Sequence, residues 1–144
     1  MRLPLTVIGV LGALAVPVVS LAAGSEETNL SARLKASSEV GKKGPAGAGG
    51  TVSVSIDGTK VCWGFVITSN TGKPTAAHIH KGAAGKAGPV VVPFGAKYKA
   101  RGCTRTTQAV ADAVIAKPGG YYVNVHTKKN PAGAIRGQLK PRGF

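Results

Sequence analysis

Apolar residues along this chain recur mostly with a period of two, the spacing of half-buried strands. Leu30, Ala32, Leu34 and Ala36 alternate with Ser31, Arg33 and Lys35. After a loop at 42–50, rich in Gly and Pro, Val52, Val54 and Ile56 alternate with Thr51, Ser53 and Ser55. The pattern resumes at Val61, Trp63, Phe65 and Ile67, and Asp57-Gly58 between the two runs offers the positive φ angles of a tight hairpin turn. Further on, Ala76–His80 reads as extended and leads into Gly82-x-x-Gly85-x-x-Gly88, a glycine-rich loop too short in repeat for a triple helix. An apolar run at 89–94 follows. Two last strands are expected at Tyr121–Thr127, with Tyr121, Val123 and Val125 on one face, and at Ala134–Lys140, with Ile135 and Leu139 inward and a turn at 130–133 between them.

Only one segment breaks this period. Ala109, Val110, Ala113, Val114 and Ala116 fall at helical spacing, and Pro118-Gly119-Gly120 stops them. About seven short strands and one brief helix specify an all-β domain, an immunoglobulin-like or Greek-key antiparallel sandwich or barrel, with Trp63 and Phe65 anchoring its core.

The N-terminus stands apart. Positions 3–23 carry no charge, Arg2 precedes them, and Ser20 to Ala23 supply small residues for a signal peptidase, so residues 1–23 read as a cleavable signal peptide. The other reading is an uncleaved anchor, since the run is long enough to cross a bilayer. Residues 24–28 read as a disordered lead-in and 29–144 as the domain, secreted or periplasmic, with no stable membrane span once the signal is removed. In such a compartment Cys62 and Cys103 are expected to form a disulfide, the alternative being two buried thiols.

The formal charge is +14, and the leader accounts for Arg2 alone. Basic residues are spread along the chain, with groups at Lys42-Lys43, at Lys97 to Arg105 and at Lys128-Lys129. Scattered charge of this kind favours anionic partners, and export points to an envelope component or a small anion rather than nucleic acid, for which no interleaved aromatics are present. Nothing in the pattern specifies an oligomer.

Chemistry narrows to the three histidines. In a strand His78 and His80 project from one face, and His126 is the only other imidazole that can join them, so together they would make a three-ligand site with an open position, suited to copper or zinc. The plainer reading is three half-exposed polar residues. Glu26, Glu27, Glu39, Asp57 and Asp112 fall in expected turns, ends or the helix and offer no fourth ligand. Arg136 alternates away from Ile135 and Leu139, so it is expected at the surface, as an ordinary arginine or as a catalytic guide for anions beside the histidines. Paired catalytic carboxylates, a Gly-x-Ser-x-Gly elbow and a phosphate-binding loop are all missing from the sequence.

AHIHKGAAGKAGPVVVPF at 77–94, YYVNVHTKKNPAGAIRGQL at 121–139, and Cys62 with Gly102-Cys103 resemble the CHRD domain, a secreted module named from chordin. The resemblance covers roughly 29–140 and implies an immunoglobulin-like β-barrel of an extracellular module whose biochemical activity the family does not define. A weaker similarity is to copper–zinc superoxide dismutases, Greek-key barrels with a His-x-His strand, a later histidine ligand and a nearby arginine. By that analogy His78, His80 and His126 would hold copper and Arg136 would attract superoxide, in a copper-only version, since the residues of a bridging zinc site are lacking. Two expectations result: a binding module with a basic surface, or a copper redox protein.

Overall fold

The computed structural model describes residues 26–42 and 44–143; the expected signal peptide lies outside them. The described residues form nine strands: β1 (Thr28–Lys35), β2 (Gly49–Asp57), β3 (Lys60–Ile67), β4 (Pro74–Lys81), β5 (Val90–Pro93), β6 (Arg101–Arg105), β7 (Tyr121–Thr127), β8 (Ile135–Gln138) and β9 (Lys140–Pro141). They make one sheet in the order β5-β4-β7-β8-β1-β2-β3-β6, with β9 beside β1, and all the pairings are antiparallel. The sheet curls into a nearly closed all-β barrel, with α1 (Gln108–Ala116) the single α-helix among the described residues. Thr107 caps α1, its hydroxyl accepting from the Val110 amide at 3.3 Å, and Ala111 and Val114 bury its inner side. Among the described residues no helix is long and apolar enough to cross a membrane.

Alternation builds the core as the sequence implies: Leu30, Val52, Ile56, Val61, Ile79, Val123, Val125 and Ile135 are each at most 1% exposed. The two sheet edges, β5 and β6, do not pair with each other. Trp63 stacks on Phe94, the residue after β5, with ring centroids 4.5 Å apart, and Phe65 meets Phe94 edge-on at 5.8 Å. Aromatic area thus fills the seam that hydrogen bonds leave open. Gly102 is fitted to this packing, for a Cβ there would come within 2.7 Å of the Trp63 ring.

Cys62 and Cys103 are register partners on β3 and β6 and form the expected disulfide, which ties the edge strand to the barrel. The tight turn differs in detail from expectation. Asp57 pairs with Lys60 as the last strand residue, so Gly58, at φ 54°, and Thr59 make the turn. The ordered strand also begins at Thr28, inside the expected lead-in.

Candidate functional site

On β4, β7 and β8 the odd-numbered residues Ala77, Ile79, Val123, Val125 and Ile135 enter the core. The even-numbered positions therefore share the outer face. Register places Ala76 opposite His126, His78 opposite Asn124, His80 opposite Tyr122, and Asn124 opposite Arg136. One polar row thus crosses three strands outside the barrel wall. Three segments distant in sequence cover it: the stretch Ala36–Lys42, the glycine-rich loop 82–88 and the turn 130–134.

The three imidazoles converge, each offering one nitrogen within 4.8 Å of the others. Their tautomers follow from their partners, because a carbonyl can only accept. Nδ1 of His80 donates to the Gly88 carbonyl at 2.9 Å, and Nδ1 of His126 donates to the Pro131 carbonyl at 2.9 Å. Both Nε2 atoms are consequently unprotonated and act as acceptors. That of His126 accepts from Nδ1 of His78 at 3.1 Å, whereas that of His80 is buried with no partner among the described residues.

Such an orphaned lone pair beside two other imidazoles fits a metal ion. Two carbonyl-tethered histidines present Nε2, the arrangement in which a ligand histidine donates its other ring N–H to a carbonyl that orients it. His78 would join through Nδ1 after moving its proton to Nε2. The 3.1 Å between His78 Nδ1 and His126 Nε2 is close to the ~3.3 Å that separates two ligands on a tetrahedral ion with bonds near 2.0–2.1 Å.

Their surroundings keep the His78 and His80 rings neutral. Burial, with help from the charges His126 and His80 can carry, lowers the His78 pKa to about 4. Burial likewise lowers His80, and its bond to the Gly88 carbonyl only partly offsets this. Neutral imidazole is the ligating form.

Arg136 is not at the surface. It is 2% exposed, lying under the glycine-rich loop, where its Nη1 and Nη2 donate to the carbonyls of Lys86 at 3.0 Å and Ala83 at 3.2 Å. It does leave the core, as its alternation implies, but the loop folds back over it. Its guanidinium carbon sits 3.4 Å from the centroid of Tyr122, and Tyr122 stacks on His80 at 4.8 Å with 7° between planes. The order β4-β7-β8 makes Tyr122 the middle layer of an Arg136–Tyr122–His80 stack. Its hydroxyl accepts from the Gly88 amide at 3.1 Å, so Gly88 fastens His80 and Tyr122 together. A Cβ on Gly88 would collide with the Lys81 carbonyl.

Three participants escaped sequence reasoning. Glu39, dismissed there as a turn residue, is 8% exposed and accepts from Asn124 Nδ2 at 2.6 Å; burial raises its pKa to about 7 despite the opposing Arg136 charge and the Asn124 bond. Tyr122 and Asn124 went unread because only one face of β7 was expected to be buried. Their even-numbered spacing with His126 was the available signal.

The family model of the CHRD domain matches residues 30–139. The chain belongs to the CHRD family. The match takes in every member of the site, from Glu39 on the covering segment to Arg136 on β8. No curated protein and no solved structure matches this CHRD chain.

Proposed function

We propose that this CHRD domain is an exported module that holds one copper ion on His78, His80 and His126 and meets anionic components of its surroundings through its basic surface. The observation that carries the reading is the convergence of the three rings, with two of them tethered through Nδ1 so that Nε2 keeps its lone pair. An all-imidazole set suits copper and zinc alike, and for a given nitrogen site the affinity order of divalent ions favours Cu²⁺. Three protein ligands leave a position open, unlike the closed sets of structural zinc. The uncharged stretch at 3–23 and the Cys62–Cys103 disulfide support export to an oxidising compartment.

Metal analysis of protein purified from the export compartment after copper supply tests this. About one copper per chain is expected in the natural protein and none in a His78→Ala, His80→Ala double variant; a copper-free natural protein contradicts the reading.

A redox use of the ion is the second reading, favoured by the three-ligand set and by the Arg136 charge stacked through Tyr122 behind His80. Copper held by these three histidines would supply the one-electron exchange of superoxide dismutation, in which two superoxides and two protons give dioxygen and hydrogen peroxide. Arg136 would act through its charge alone, since its bonds go to the loop carbonyls and to Gln138 Oε1. Superoxide consumption by the copper-loaded protein, absent from the double variant, is the result expected of this reading; copper bound without consumption excludes it.

A further inference from the structure

Beside His80 lies a cavity of about 200 Å³, bounded by the 36–42 segment, the glycine-rich loop and the turn at 130–134. Its polar lining is unusually enclosed: Arg136 is 2%, Asn124 3% and Glu39 8% exposed. The Asn124 amide nitrogen is committed to Glu39 Oε1 at 2.6 Å, which fixes the other end of the amide as an acceptor. That acceptor, Oδ1, is buried and has no donor among the described residues. Gly133 lets the turn close tightly over the Asn124–Glu39 pair, because a Cβ there would come within 2.6 Å of both Asn124 Nδ2 and Glu39 Oε2.

A ligand for this cavity must meet three conditions. It must be small, given the volume. It must bring a hydrogen-bond donor, since a buried lone acceptor is costly to leave unmade. It should also be anionic, because the Arg136 cation lines the cavity and the adjoining cleft adds Arg33 and Lys35. Glu39 opposes an anion only in part near neutrality, as its pKa is raised to about 7. His80 and Tyr122 are the remaining titratable groups in the lining.

We propose that this cavity binds a small oxyanion that retains a hydroxyl group, bicarbonate being the simplest, with the hydroxyl donated to Asn124 Oδ1 and the negative charge set against Arg136. The site does not depend on a metal at the histidines.

The test is a pair of NMR titrations of the metal-free, signal-cleaved chain at pH 8 and constant ionic strength, one with bicarbonate and one with nitrate. Nitrate is planar, of the same charge and similar size, but has no hydroxyl. Bicarbonate is expected to shift the Asn124 side-chain amide saturably and to bind roughly tenfold more tightly than nitrate, the ratio set by the unmade hydrogen bond. A Glu39→Gln variant keeps an acceptor for Asn124 Nδ2 and removes a negative charge, so it should bind bicarbonate several-fold more tightly still. Equal binding of the two anions, or no saturable shift with bicarbonate, overturns the proposal and leaves the copper reading untouched.

Discussion

Among single residues, Glu39 and His78 are held away from their ordinary titration ranges, and in opposite senses for stability. The folded state raises Glu39 from 4.5 to about 7, so it binds more protons than the unfolded chain in that window. Its stabilising contribution is complete below about 4.5 and is lost as pH rises through 7. Glu39→Gln should therefore stabilise the protein at pH 8, by roughly 1–3 kcal/mol, and have little effect near pH 5. Denaturant unfolding at the two pH values measures this, and an equal effect at both contradicts it. His78, lowered to about 4, and His80, also lowered, destabilise the fold as pH falls below 6.5, because the unfolded chain then takes up protons that the native site refuses. In metal-free protein the His78 ring resonances are expected to titrate near 4. A midpoint near 6.5 would show the ring to be solvated rather than packed against its neighbours.

Between elements, the site is a strand face roofed by loops, and its rigidity comes from the roof. Gly88 binds His80 through its carbonyl and Tyr122 through its amide, while Arg136 and Gln138 grip the same loop at Lys86, Ala83 and Gly82. Gly88→Ala would drive a Cβ into the Lys81 carbonyl and displace the loop. Copper affinity should fall about 10–100-fold, the usual loss when a ligand histidine is no longer tethered. Calorimetric titration measures it, and unchanged affinity would mean that the loop does not orient His80. This layout also explains what could be read in advance. The parity of His78 and His80, and the core positions of β1 to β3, follow from local alternation. The covering of Arg136 does not, since the residues that bury it lie some 50 positions away. Strand β6 is equally hidden: Arg101–Arg105 has no buried residue, so no alternating apolar side chains mark it in the sequence. Glu39 sits between two short 3-10 turns, where composition says only that the chain bends.

For the molecule as a whole, two features act independently of the site. The disulfide closes a loop of 41 residues and fastens an edge strand; its loss should cost about 4 kcal/mol in the chain-entropy account. Unfolding of a Cys62→Ser, Cys103→Ser variant gives the number, and an unchanged midpoint contradicts the assignment. The charge of +14 on 144 residues should make retention on an anionic matrix steeply salt-dependent. Salt-insensitive retention would point instead to a specific contact.

Pulsed electron paramagnetic resonance of the Cu(II)-loaded protein probes the site most directly, because it counts coordinated imidazoles. Three are expected, from His78, His80 and His126, with one signal vanishing in each single alanine variant. A spectrum with fewer than three, or one unaltered by His126→Ala, would contradict the claim that these rings hold one ion.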